Sequence, residues 1–225
     1  MHMSKDKNSL TVFRDLTIRG MIDNIASLGD AIQKQLPSQW KRDCAKEIEN
    51  ASMFGDAGAL LVFERSTTDD LPAAGVAMLT EGETVSVLNI VPLEKHQLSI
   101  AEYNALLVEL TEQAIRPATN SLGLSCELGS EEKTITAWMS ESAISALQRF
   151  SHLANHATGS SHPMDQQRWF AFLVQCHQDG CTLDTDILQR WLIEIGEWSP
   201  DRASDLAIEY EFAQALLKFA EHQRK

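Results

Sequence analysis

Six residues between positions 152 and 181 are zinc ligands by type: His152, His156, His162, Cys176, His177 and Cys181. His152 and His156 stand four apart, which on a helix sets both imidazoles on one face. The two cysteines, however, are separated by four residues across an Asp179-Gly180 turn, and no Cys-x-x-Cys pair completes a closed site. Buried thiols and surface imidazoles are therefore the expectation, with no metal bound. The opening Met1-His2-Met3 reads as a cloning remnant ahead of a start at Met3, which leaves His2 outside the metal argument.

Nucleophile signatures are missing from the sequence. It contains no G-x-S-x-G elbow, no phosphate-cradling glycine loop and no G-x-G-x-x-G after a strand. Cys126 beside Glu127 is a catalytic pair by residue type, but the alternation fits a strand with one residue facing the core and the next facing water. Chemistry is not what this sequence advertises.

Charge is more informative. The chain has 225 residues, 44% of them hydrophobic, and a net charge of -13. Residues 1–46 carry a net +3, residues 47–138 a net -11, residues 139–178 balance, and residues 179–225 carry -5. An acidic centre repels phosphate backbones and steers basic proteins in, so direct nucleic-acid binding is disfavoured. The same charge also serves plain solubility. No run reaches the ~18–20 consecutive apolar residues of a membrane span, and four cysteines are too few for a disulfide scaffold at this length. A cytoplasmic protein with reduced thiols and no membrane contact is expected.

The elements that must position any site follow from periodicity. Leu10 to Ile18 suggests a short strand; Met21 to Gln35 and Ser38 to Met53 have helical spacing, the second through Trp40, Cys44, Ile48 and Ala51 up to Gly55. Ala59 to Glu64, Ala73 to Thr80 and Thr84 to Val91 alternate as strands, and Glu81-Gly82-Glu83 joins the last two in a hairpin. Ser99 three residues before Glu102 is a capping box, opening a helix through Ile100, Tyr103, Leu107, Leu110 and Ala114 that should stop at Pro117. Leu122 to Leu128 follows as a strand and Ser140 to Asn155 as a helix. The breaker run Thr158 to Pro163 is the candidate boundary between a mixed α+β domain, 1–157, and a helical domain of about three helices, 163–225. Those three helices are Asp165 to Gln178, Asp184 to Ile195 and one starting at Ser199-Pro200. The last carries two apolar stripes, Leu206, Tyr210, Ala213, Leu217 and Ala220, then Phe212, Leu216 and Phe219. So wide a face serves a core, or docks a partner helix or a second copy of the chain as a homodimer. The Cys176 to Glu194 helix pair has the outline of a helix-turn-helix, but Asp184, Asp186 and Glu194 against Arg190 are the wrong sign for DNA.

The fold class expected is thus α+β, a mixed or antiparallel sheet flanked by helices and followed by a small all-helical domain. The order strand, two helices, three strands with a hairpin, helix, strand, helix over residues 9–155 resembles the GNAT acetyltransferase fold. In that resemblance Thr84 to Pro92 is the strand leading into the cofactor helix that starts at Ser99, and the implied activity is acyl transfer from acyl-CoA. The chain departs from the family's Gln/Arg-x-x-Gly-x-Gly/Ala loop, because Leu93-Glu94-Lys95-His96-Gln97-Leu98-Ser99 has no glycine to let backbone N–H groups surround a pyrophosphate. Glu94 and Glu102 oppose an anion there, and residues 130–155 contain no tyrosine to act as general acid. The resemblance therefore implies a scaffold that has lost acyl-CoA binding.

The function expected is a non-enzymatic, cofactor-free interaction module, of the kind represented by a bacterial antitoxin, immunity protein or inhibitor that neutralises a basic protein partner. Its contact residues would be the loop carboxylates Asp69, Asp70, Glu81 and Glu83. An atypical acyltransferase and a self-associating structural or regulatory protein are the alternatives.

Overall fold

The computed structural model describes residues 9–54, 59–95 and 97–223. The expected helix stop at Gly55, the loop residue His96 and the opening Met1 to Met3 lie outside them. The architecture is α+β, with an antiparallel sheet, helices around it, and a helical C-terminal region. Among the described residues no helix is long and apolar enough to cross a membrane.

Two compact units divide the chain. One is continuous, Val12–Glu131; the other joins Ser9–Thr11 to the chain from Glu132 onward. The boundary expected at residues 158–163 therefore falls inside the second unit. The reason is a pairing that composition does not signal. Strand β1 (Ser9–Thr11) makes a two-stranded antiparallel ladder with β8 (Glu132–Thr134), Thr11 opposite Glu132, so the chain leaves this unit and returns to it at one point.

The Val12–Glu131 unit is a six-stranded sheet, among the described residues, in the order β3-β4-β5-β6-β2-β7 with every neighbour antiparallel. Its strands are β2 (Leu16–Arg19), β3 (Trp40–Arg42), β4 (Ala59–Arg65), β5 (Ala74–Glu81), β6 (Thr84–Pro92) and β7 (Ser125–Leu128). The three central runs and the Glu81-Gly82-Glu83 hairpin stand where the alternation puts them, with Gly82 at φ +59° as such a turn requires. Alternate strand residues, Leu61 and Phe63, Val76 and Met78, Leu16 and Ile18, and Val85 and Ile90 on either side of an irregularity in β6, share one apolar cluster with Leu28 and Ile32 and with Leu106, Leu107, Leu110 and Ala114. Two short helices, α1 (Ile22–Ala26) and α2 (Leu28–Gln33), and α4 (Ile100–Leu110) supply that helical side.

Three expectations are corrected here. The single strand over Leu10 to Ile18 is two strands, β1 and β2, in different units. The helix expected from Ser38 starts only at Cys44, as α3 (Cys44–Phe54), because residues 40–42 pair with β4 instead. Trp40 belongs to the core, and its indole N–H donates to Glu109 Oε2 at 3.2 Å, an arrangement a helix there would forfeit. The helix expected to end at Pro117 continues to Leu122 as α5 (Arg116–Leu122). A π turn at Thr111–Ile115 makes this possible: the N–H of Arg116 reaches back five residues to the Thr111 carbonyl, and the widened turn admits the proline ring.

The second unit is built from α6 (Glu141–Leu153), α7 (Pro163–Gln178), α8 (Thr185–Glu194) and α9 (Pro200–His222). Ser140, His162, Asp184 and Ser199 cap them in turn, each accepting a backbone N–H in the first turn. Their core is aromatic: Phe150 lies 4.8 Å from Trp169 and 5.3 Å from Trp198, and the Trp198 indole N–H donates to Ser151 Oγ at 2.8 Å. Gly196 is required between α8 and α9, since a Cβ there would lie 2.9 Å from the Leu192 carbonyl and from Ser151 Oγ.

Candidate interaction surfaces

Asp69 and Asp70 stand exposed on the loop between β4 and β5, and that loop is held from beneath by a buried guanidinium. Arg65, only 3% exposed, donates through Nη1 to the carbonyls of Ser66 (3.0 Å) and Leu71 (2.8 Å) and through Nη2 to Thr68 Oγ1 (2.9 Å). Its Nε donates to Glu109 Oε2 at 2.6 Å, and Gln39 and Trp40 complete the carboxylate's shell. Burial pushes the Glu109 pKa up, but the hydrogen bonds from Arg65, Gln39 and Trp40 outweigh it and hold it below the usual carboxylate value. Within the loop, Thr67 Oγ1 donates to Glu94 Oε1 at 3.1 Å and accepts the Ala73 N–H at 3.1 Å. Glu94, which the resemblance sets in the loop before the cofactor helix, thus lies at the same end of the sheet as the Asp69-Asp70 loop.

Glu81 and Glu83 are also exposed, but on the β5–β6 hairpin. The β4–β5 loop precedes the first residue of β5 and the hairpin follows its last; eight residues at about 3.3 Å each put roughly 25 Å between them. The four carboxylates form two patches, one at each end of a strand, and not one site.

Basic side chains near the sheet edge are already engaged. Glu64 accepts from Lys46 at 2.5 Å and pairs with Lys41 at 2.9 Å, and these two contacts lower its pKa to about 2. Arg42 is held by both Glu47 oxygens (2.8 and 2.9 Å) and by Asp30 (2.7 Å), while Glu47 also accepts the Val62 N–H at 3.0 Å.

A cavity of about 400 Å³ lies beside the start of α4, lined by Phe13, Asn89, Ile90, Pro92, Gln97, Leu98 and Tyr103. One extra residue in β6 shapes it: Ala77 pairs with Asn89 and Met78 with Val87, so Leu88 is bulged out. Phe13 meets Tyr103 edge-on at 4.8 Å, and burial raises the Tyr103 phenol pKa. The helix start itself is occupied by its own capping box: Glu102 accepts the Ser99 N–H at 2.8 Å while Ser99 Oγ accepts the Glu102 N–H at 3.2 Å. A carboxylate therefore stands where the helix dipole would otherwise favour an anion.

The thiol and imidazole inventory is dispersed. Cys126 faces the core cluster and burial raises its pKa, while its neighbour Glu127 is exposed and pairs with Arg19 at 3.9 Å. His156 stacks on Trp198 at 4.1 Å with Nε2 2.9 Å from the Ser151 carbonyl. His162 caps α7, His177 Nε2 lies 3.0 Å from Glu221 Oε1, and Cys176 is buried against the Tyr210 hydroxyl at 3.6 Å. Among the described residues no three His, Cys, Asp or Glu side chains are grouped to hold a metal.

On α9 the two apolar stripes separate. Leu206 and Tyr210 are buried, with Ala203 and Ala207, whereas Phe212, Leu216 and Phe219 are exposed and are joined by Ile208. The sequence shows both stripes; it misses Ile208 and does not say which stripe faces inward.

Residues 140–222, from the cap of α6 to the end of α9, are similar to a family described as "Domain of unknown function (DUF1889)". The matched stretch lies wholly within the second unit. No curated protein matches the chain, and no solved structure does.

Proposed function

We propose that the protein is a non-enzymatic interaction module that binds a basic protein partner in the cytoplasm, in the manner of an antitoxin, immunity protein or inhibitor. The observation that carries this reading is the use of a buried ion pair to fix an exposed acidic loop. Arg65 donates to loop carbonyls and to Thr68, so the loop that carries Asp69 and Asp70 has a fixed backbone, and Thr67 of the same loop bonds Glu94. A loop backbone already held before binding loses less entropy when its side chains meet a cationic surface. Purification from the native host at low salt should yield a stoichiometric basic protein that is released as salt rises. Asp69→Lys with Asp70→Lys should weaken that complex at least about tenfold, a loss in the range of desolvated interface charges. Glu81→Lys with Glu83→Lys, on the distant patch, should change affinity less than twofold or so. A protein that emerges alone, or a complex indifferent to the first pair, overturns the reading.

The second reading is an atypical GNAT-type acyltransferase, favoured by the cavity beside the β6 bulge and the start of α4. Glu102 weighs against it, since its carboxylate adds negative charge at the helix start where a pyrophosphate would lie. Acetyl-CoA binding to the native state would raise the thermal midpoint; no shift at saturating cofactor removes this reading. Self-association through the last helix is the third.

A further inference from the structure

Helix α9 has 23 residues and buries one side against its own unit, through Ala203, Leu206, Ala207 and Tyr210. Tyr210 donates to the Leu183 carbonyl and Gln214 Nε2 to that of Leu173, each at 3.0 Å. At about 100° per residue, Ile208, Phe212, Ala215, Leu216 and Phe219 fall on the side turned away from Tyr210. The four large ones are exposed by 61, 68, 53 and 63%. With free aromatic side chains presenting about 150–250 Å², this stripe leaves on the order of 500 Å² of apolar surface in water, more than scattered surface residues account for.

The order of residues along the stripe identifies what covers it. Reflected about the level of residue 214, and to within one residue, Ile208 exchanges with Phe219, and Phe212 with the Ala215-Leu216 pair. On one border of the stripe, exposed Glu211 exchanges with exposed Lys218. A two-fold axis across the stripe keeps each border on its own side, so the acid of one helix meets the base of the other, twice. We propose that two copies of this chain associate through α9, antiparallel, about a two-fold axis at the level of residue 214. A parallel pair would carry this border to the opposite side of the seam in the second copy, so Glu211 and Lys218 could not meet across it, and would align the helix dipoles unfavourably. Ala215 leaves room for the Phe212 ring of the other copy. The area covered, on the order of 1,000 Å² for the pair, is at the lower bound for a specific interface, so the dimer is weak and reversible.

This inference goes beyond the acidic-loop reading and uses the other unit, so either can fail alone. Sedimentation of the full-length chain over a wide concentration range should show the mean mass rising from 25.1 kDa toward twice that value. Phe212→Glu should raise the dissociation constant at least about tenfold, as expected of a central anchor, with the helical circular dichroism unchanged. Lys218→Glu should weaken the dimer about threefold or more through its two symmetric contacts, and adding Glu211→Lys to it should restore affinity. A monomer at every concentration, or a dimer insensitive to Phe212→Glu, overturns the proposal. Failure of the double charge swap to rescue overturns the antiparallel register. Binding of a basic partner to the Phe212→Glu chain should be unaffected, which keeps the two readings apart.

Discussion

Arg65 shows how one buried side chain organises a surface. Its guanidinium is out of water, and every described contact goes either to Glu109 or to the loop that carries Asp69 and Asp70. Removing one partner of such a pair is far worse than never having built it, because the other is left as an uncompensated buried charge. Arg65→Met should therefore lower the unfolding free energy by about 3–5 kcal/mol in urea titrations. Glu109→Gln, which keeps an acceptor for Nε, should cost less. Equal losses in the two variants would mean that the charge pair alone carries the effect and the loop hydrogen bonds of Arg65 add nothing, since Gln keeps the volume of Glu. Neither residue stands out in the sequence: they are 44 positions apart, one on a strand and one on a helix, and nothing local predicts that they meet.

Elements were legible where local chemistry alone decides them. The Ser99 capping box appears in the structure as the sequence spells it, with both reciprocal hydrogen bonds formed. Ser99→Ala should cost about 0.5–2 kcal/mol and fray the first turn of α4, seen as faster amide exchange at Glu102 and Tyr103. Elements failed where a tertiary partner overrode local preference. Trp40 has helical spacing to Cys44 and Ile48, yet it sits in a strand because Glu109 and the β4 ladder lie there. Pro117 is a helix breaker by rule, yet the helix runs through it on a π turn that no sequence pattern announces.

At the scale of the molecule, the second unit is interrupted by the first. Thr11 and Glu132 are opposite each other in the β1–β8 ladder, which in an antiparallel pair means about 5 Å between their Cα atoms. Val12 and Glu131, the ends of the inserted unit, are likewise joined, by an N–H to carbonyl bond of 2.7 Å. A chain in which a short glycine-rich turn replaces residues 12–131 should keep cooperative unfolding and the near-ultraviolet signal of its Trp169 and Trp198 core. A chain of residues 12–131 alone should fold as a sheet protein. Loss of cooperative unfolding in both would show that the two units are not separate folding bodies.

Composition, periodicity and capping chemistry are local quantities, and they determined what is local in this protein: the α+β class, the hairpin, the capped helices, the acidic middle and the two stripes of α9. Tertiary structure alone decided the rest, because it depends on which distant segments share a partner. It moved the division of the chain to Thr11 and Glu132 through a three-residue ladder, and it separated Asp69 and Asp70 from Glu81 and Glu83 by the length of β5. It also chose which stripe of α9 would face inward. Tyr210 found Cys176 and the Leu183 carbonyl, and Phe212, Leu216 and Phe219 were left facing water because the other helices pack on the opposite side.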